Sequence, residues 1–403
     1  MITENTLFEI ITLQKQRLLA MEMGQLREEL AKLPHLFSHA LIISGIRRCG
    51  KSTLMAQLLR KEYPNALFVN FEDNRLCDFE KQDFNRLDKI IENNHYTELF
   101  FDEIQVVPEW ERYARQKLDE GYKMMITGSN ASLLSKELGT KLTGRHITKE
   151  LFPFSFTEFC DYKKLLPSGE ASAYYLKIGG FPEYVKQNHT EILTNLFDDI
   201  LMRDVVLRYG VRDVKMLQRL SLFLISNVGN LLSANKLKNI FEFGSTSTVT
   251  EYLSHLELSY LFFFVPKFSY SIKVQVINPR KVYSIDTGII AENSISFSHD
   301  IGTKLENIVF LSLRRNYNEI YYFAENNREC DFIVFNRGRL IGCYQVCYDL
   351  NDLNLNRELK GIFSALDFFN LNEGTIVTNN QTDIFEHQGK IVKAIPAHQF
   401  LTS

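Results

Sequence analysis

The segment Gly45-Ile46-Arg47-Arg48-Cys49-Gly50-Lys51-Ser52-Thr53 places two glycines, a lysine and a hydroxyl at the spacing G-x-x-x-x-G-K-S. Gly45 and Gly50 permit the tight turn that aims successive backbone N–H groups at one anion. A helix opening at Lys51 would add the partial positive charge of its N-terminus at the same point. In such a loop Lys51 reaches the β- and γ-phosphates of a nucleotide, and the Ser52 hydroxyl ligates Mg²⁺. Arg47, Arg48, Cys49 and Thr53 complete the candidate binding set. Arg47 and Arg48 suit phosphate contact or packing and salt bridges equally well.

A phosphate loop needs a second anchor for Mg²⁺. Glu98-Leu-Phe-Phe-Asp102-Glu103 is an apolar run ending in two carboxylates. Asp102 is expected to hold Mg²⁺, directly or through water, and Glu103 to polarise the attacking water. That adjacent Glu favours hydrolysis over passive binding. A third run, Lys123 to Thr127, leads into Gly128-Ser129-Asn130, where Ser129 and Asn130 would orient water or sense the γ-phosphate. The same two residues would also serve as an ordinary cap to a helix over Ala131 to Leu138. Arg145 follows soon after; it would meet transition-state charge in its own subunit or in a neighbour, or be a surface arginine. The guanine-reading pattern N-K-x-D is missing, since Asn235-Lys236-Leu237-Lys238 lacks the Asp. ATP with Mg²⁺ is therefore the expected pair.

The elements needed to position these groups can be read around them. Leu41 to Ser44 reads as a buried strand, and Leu54, Leu58 and Leu59 follow Ser52 at helical spacing. The runs ending at Asp102 and Thr127 read as parallel strands whose C-terminal edge carries the site. The expected class is α/β.

Composition sets the wider limits. The 403 residues suit two to four domains, and 45% apolar against 24% charged residues suits a globular chain. With 46 Lys and Arg against 49 Asp and Glu, the net charge of −3 excludes a globally basic nucleic-acid binder. Six cysteines without any C-x-x-C read as free thiols in a reducing cytoplasm. The N-terminus lacks a signal-peptide layout, and no apolar run approaches membrane-spanning length, so no membrane role is expected.

Beyond the loop, Met216 to Asn227, Ala234 to Phe241 (capped by Ser233) and Thr248 to Glu257 read as three helices. Leu261 to Val265 and Lys281 to Ile285 read as two wing strands, giving the order of a winged helix-turn-helix. Its second helix carries Glu251, Glu257 and His255 rather than Arg or Lys, which argues for a protein-binding or structural wing over DNA contact. Lys267, Lys273, Arg280 and Lys281 are the wing cations available to phosphate.

With these residues in hand, the chain resembles a bacterial and archaeal family of AAA-superfamily ATPases that join an N-terminal P-loop domain to a C-terminal region of uncharacterised function. The family's G-P-R-R-V-G-K-T appears with Ile46 for Pro, Cys49 for Val and Ser52 for Thr. D-E-I-Q matches at Asp102 to Gln105, T-G-S-N at Thr127 to Asn130, and G-R at Gly144-Arg145. F-P-x-S-F-x-E-F, G-G-F-P, Arg203-Asp204 and K-V-Y-S-x-D-x-G match at Phe152 to Phe159, Gly179 to Pro182, 203–204 and Lys281 to Gly288. The resemblance implies a P-loop ATPase domain over 1–160, a helical connector over 161–215, a winged helix over 216–295 and a restriction-endonuclease-like α/β domain over 296–403. That last part resembles the PD-(D/E)xK nuclease fold, with Glu306 and Asp331 as surviving acids. Gln345 and Cys347 stand where its acid and lysine belong, so cleavage is not expected unless Lys360 substitutes from the following helix. The reading that emerges is an ATPase whose nucleotide state repositions a partner-binding C-terminal half, with homo-oligomers open. An ATP-regulated DNA binder with a degenerate nuclease domain and a non-hydrolysing scaffold are the alternatives.

Overall fold

This computed structural model describes residues 2–134, 142–295 and 301–402. The chain divides into two compact units, Met1–Phe152 and Pro153–Ser403. The sequence-derived boundary at 295/296 and the C-terminal half of the Ala131–Leu138 helix fall at or beyond the edge of the described residues; Ala131–Leu134 is a short 3-10 turn.

Unit 1 is built on five parallel strands: β1 Ala40–Ser44, β2 Leu67–Asn70, β3 Glu98–Asp102, β4 Lys123–Gly128 and β5 His146–Glu150. Their order is β2-β3-β4-β1-β5. β1 is buried along its whole length, as a parallel strand covered on both faces must be. Register brings the strand ends into line: Asn70 beside Asp102, Asp102 beside Thr127, and Ser44 beside Gly128. The chemistry-bearing residues thus share one edge. Helix α1 (Glu4–Ala20), capped by Thr3, buries Leu7, Ile10 and Ile11 in the core cluster shared with β2 and β3. Helix α2 (Lys51–Lys61) buries Leu54, Leu58 and Leu59, the residues whose spacing announced it. Helices α3 (Phe84–Asn93) and α4 (Trp110–Asp119) lead into β3 and β4 and put Leu87, Ile90, Ile91, Trp110 and Tyr113 in the same core.

Unit 2 opens on a capping box. Ser155 and Glu158 exchange backbone and side-chain bonds of 2.9 and 3.0 Å to start the helix Phe156–Lys163. More helices follow, to Leu207. Two motifs distant in sequence then meet: the buried Asp286 accepts N–H bonds from Gly180 (2.6 Å), Gly288 (2.8 Å) and Ile289 (3.2 Å). Burial still pushes its carboxyl up to about 6.

The next elements are helix Val214–Ile225, strand β6 (Leu231–Leu232), helices Ala234–Phe241 and Thr246–Leu258, then strands β7 (Phe262–Val265) and β8 (Arg280–Ser284). The strands form an antiparallel sheet in the order β6-β8-β7. The three helices match the sequence reading to within a few residues, and Val249, Leu253 and Leu256 face inward. β6, two residues long, and the helix Ile272–Ile277 were not anticipated; that helix is made of Ile and Val alternating with polar residues, a strand-like pattern. One wing cation is removed from consideration. Lys281 is only 4% exposed and is enclosed by carboxylates, so it is not available to a phosphate backbone.

The last sheet is six-stranded and mixed, in the order β13-β14-β12-β11-β10-β9. Its strands are β9 (Glu319–Glu325), β10 (Arg328–Asn336), β11 (Arg339–Val346), β12 (Glu373–Thr378), β13 (Asp383–His387) and β14 (Lys390–Pro396). Helix Ile301–Asn316 precedes it, and helix Leu355–Phe369 makes the crossover between the parallel neighbours β11 and β12. Among the described residues no helix is long and apolar enough to cross a membrane.

Candidate functional site

The site grows from the C-terminal edge of the first sheet. β1 ends at Ser44, whose hydroxyl donates to the Asn130 carbonyl at 2.6 Å and so joins the β1 and β4 exits. Gly45 follows where a side chain would collide with the carbonyl oxygen of Leu151. Arg48 and Gly50 both take left-handed backbone angles, with φ of 62° and 102°. Gly50 then opens α2. Lys51 is 5% exposed and donates to the carbonyls of Gly45 (2.9 Å) and Ile46 (3.1 Å). Its ammonium also lies 3.6 Å from the Glu103 carboxylate.

Ser52 Oγ donates to Asp102 Oδ2 at 2.8 Å. The two oxygens expected to ligate Mg²⁺ are therefore neighbours, and Thr127 donates its hydroxyl to the other Asp102 oxygen. Burial and the adjacent Glu103 charge push Asp102 up to about 6, against the pull of these two hydroxyls and Lys51. Hard oxygen donors packed this closely suit a hard divalent cation, which would hold Asp102 ionised.

Glu103 sits just past β3 with φ of 54°, an uncommon conformation for a residue with a side chain. Burial opposes its charge, but Lys51, Gln105, Arg47 and the Ser129 N–H together hold the carboxyl below its ordinary value. The Ser129 N–H donates to it at 3.0 Å, and Gln105 Nε2 bonds the same oxygen. Ser129 and Asn130 are both buried at the end of β4. Lys51, Ser52, Asp102, Glu103, Ser129 and Asn130 thus come together.

The other sequence candidates divide. Arg47 pairs with Glu72 at 2.9 Å, the salt-bridge reading of that residue. Cys49 is fully enclosed, and burial raises its thiol, so it fills space and supplies only backbone. Thr53 lies on α2 within van der Waals reach of the Gly24 position. Arg145 is not brought to the site. It immediately precedes β5, at the opposite edge of the sheet from the loop, and ion-pairs with Asp119. A five-residue strand puts it about 15 Å from the loop edge of the sheet within its own subunit.

Three contributors escaped the sequence reading: Thr127 and Gln105, although both lie inside quoted motifs, and Arg27, which lies in none.

In unit 2, Glu306 and Asp331 converge around an unexpected cation. Lys281 Nζ lies 3.1 Å from Glu306, 2.7 Å from Asp331 and 2.7 Å from Glu329. Lys360 is exposed; the residue reaching inward from its helix is Glu358, which accepts from Gln345 Nε2 at 2.6 Å. The condition under which Lys360 would substitute, that it turn inward, is not met.

The model of the AAA domain matches residues 38–160, and a domain of unknown function (DUF8612) matches residues 169–296. An uncharacterized protein of Methanocaldococcus jannaschii is 36% identical over 350 residues, covering 81% of this chain and 78% of its own. One from Haemophilus influenzae is 32% identical over 321 residues, covering 73% and 78%. Among solved structures, a Walker-type ATPase of Pyrococcus abyssi aligns at TM-score 0.45 and 16% identity, over 68% of this chain and 99% of that one. AMPPCP-bound DnaA from Aquifex aeolicus aligns at TM-score 0.28 and 17% identity, over 57% and 85%. Structural likenesses this distant carry no argument about function. The sequence relationships show the family: the chain belongs with the Methanocaldococcus and Haemophilus proteins, with an AAA domain of the P-loop type at its N-terminal end.

Proposed function

We propose that the chain binds ATP with Mg²⁺ at the β1–α2 loop and hydrolyses it, and that the nucleotide state controls a partner-binding C-terminal half. The convergence of Lys51, Ser52, Asp102 and Glu103 at one sheet edge carries this reading. Ser52 and Asp102 would hold Mg²⁺, which offsets the charge of the phosphate oxygens when bound. Lys51 exchanges its bonds to the Gly45 and Ile46 carbonyls for phosphate oxygens, and Glu103, freed of that ammonium, accepts a hydrogen bond from the attacking water. The Ser129 N–H links the water-polarising carboxylate to the β4 end, where Ser129 and Asn130 would sense the γ-phosphate. Arg145 contributes only if a second copy presents it in trans. Replacing Lys51 by Ala should weaken ATP binding by at least 100-fold, as read by isothermal titration; the loss of a charge-assisted phosphate contact in a buried site sets that scale at about 3 kcal/mol. Wild-type affinity in that variant would remove the loop from the reading.

For the C-terminal half the four-part division is retained as a proposal. The order of helices and strands over 214–284 and the β6-β8-β7 sheet support a winged helix. The mixed sheet with its flanking helices supports a nuclease-like domain. Cleavage is disfavoured, because Gln345 is tied to Glu358 and the Asp331 N–H, and Cys347 supplies no cation. Nucleic-acid binding is disfavoured too: the Thr246–Leu258 helix offers no Arg or Lys, and His255 stacks on Tyr209 at 4.0 Å. A protein partner in the cytoplasm fits better. ATP turnover should therefore change less than twofold on adding duplex or single-stranded DNA. Strong stimulation, with binding that falls steeply as salt rises, would put the DNA reading first.

A further inference from the structure

We propose that Arg27 is a positioning residue of the nucleotide site, which orients the Cys49–Gly50 peptide toward phosphate and ties it to the point where the chain leaves unit 1. The proposal rests on the ATP-binding reading above. Residues Met23 to Arg27 form no strand or helix, yet they are fixed against α2. Gln57 Nε2 donates to the carbonyls of Met23 and Gln25 at 2.8 Å each, and its Oε1 accepts from the Arg27 N–H at 3.4 Å. Arg60 donates to the Met21 carbonyl at 2.6 Å and also to that of Leu19. The helix that begins at Lys51 thus holds the segment that carries Arg27.

Arg27 is 4% exposed. Nη1 donates to the Cys49 carbonyl at 2.7 Å, and Nη2 to the Phe152 carbonyl at 2.7 Å. A trans peptide points its C=O and N–H in opposite directions. Holding the Cys49 carbonyl against Arg27 therefore turns the Gly50 N–H to the other side, the side on which an anion is cradled. The guanidinium also packs against Gly50 itself: a side chain there would begin 3.0 Å from Nη1. Two fixed donors in one plane make the bridge possible, and a lysine ammonium could not span both carbonyls in the same geometry. Phe152 is the last residue of unit 1. A second tie runs alongside, from the Leu151 N–H to the Ser44 carbonyl at 2.7 Å. A change in the Cys49–Gly50 peptide on nucleotide binding is thereby passed to Phe152.

The test uses the full chain with Arg27→Lys and Arg27→Met. The KM for ATP should rise about tenfold or more in both, with kcat at saturation within twofold; a purely structural defect would instead lower kcat through loss of active protein. Hydrogen exchange at Leu151 to Ser155 should slow in the wild type when a non-hydrolysable ATP analogue is added at saturation, and this nucleotide response should vanish in the variants. If Arg27→Met does not fold, Arg27→Lys is read alone. Unchanged KM in a folded variant overturns the positioning role. Raised KM with the exchange response intact overturns the tie to Phe152. A wild-type protein that binds no ATP overturns the nucleotide reading, which separates that failure from the other two.

Discussion

Glu103→Gln should leave ATP bound and turnover reduced by about 10²–10⁴-fold, the range set by loss of a positioned general base. The substitution is nearly isosteric. A glutamine oxygen can still accept the Ser129 N–H, and the left-handed backbone at 103 is held by the Glu103 N–H bond to the Thr127 carbonyl at 3.0 Å. What changes is charge. The carboxylate lies 3.6 Å from Lys51 and competes with phosphate for that ammonium. Without it, ATP affinity should hold or rise while hydrolysis slows by that factor, so a long-lived complex accumulates. Phosphate release in a single turnover and ATP affinity by titration measure the two halves separately. Turnover within a few-fold of wild type would show that water is activated elsewhere. Equal loss of binding and turnover would show that Glu103 shapes the loop.

This variant isolates what sequence could and could not reveal. The loop, the acid pair and the strand–helix context were legible because they are local: spacing, apolar runs and helical periodicity lie within windows of about ten residues. Their meeting at one edge was also legible, because parallel α/β sheets put their ligands there. The choice for Arg145 between its own subunit, a neighbour and the plain surface could not be read in the same way. Distance in sequence from β4 says nothing about which end of β5 a residue precedes, and only the register of Ala40 with His146 sets it at the far edge. Arg27 left no signal at all, since an arginine in an irregular segment acquires its role only from the carbonyls folded against it.

The motifs beyond the loop teach a related lesson. Gly179 to Pro182 and Lys281 to Gly288 look like functional signatures, yet their shared feature is the Asp286 carboxylate capping three backbone N–H groups. They build the fold of unit 2. Glu306 and Asp331, the two acids that the resemblance singled out, do converge, but the lysine weighed beside them in the sequence was Lys360, and only on condition that its helix folded back. The cation that reaches them comes from β8, 25 residues before Glu306 and 50 before Asp331. No periodicity argument reaches that far.

Lys281→Met should therefore be among the most destabilising single changes in unit 2, by about 3–5 kcal/mol, because it leaves buried carboxylates without their counter-charge. The ammonium is enclosed, and burial alone would lower its pKa; Asp331, Tyr283, Glu306 and Glu329 outweigh that and keep it charged. Glu306 is the sensitive partner. Burial and Asp331 already push its carboxyl up to about 7, and the Tyr283 hydroxyl donates to it at 2.6 Å. A carboxyl whose folded pKa is raised binds protons more readily in the native state. It adds stability below its ordinary value near 4.5, and this is lost as pH rises through about 7. Removing Lys281 takes away an influence that lowers this pKa, so the deficit of the variant should be larger at pH 8 than at pH 5. At the upper pH, thermal unfolding should fall by roughly 10 °C. Lys360→Met, on an exposed face, should leave the melting temperature unchanged at both pH values. A Lys281→Met protein that melts like the wild type at pH 8 would mean that the carboxylates are solvated or protonated without it. The ammonium would then be a bystander rather than the cation that closes this site.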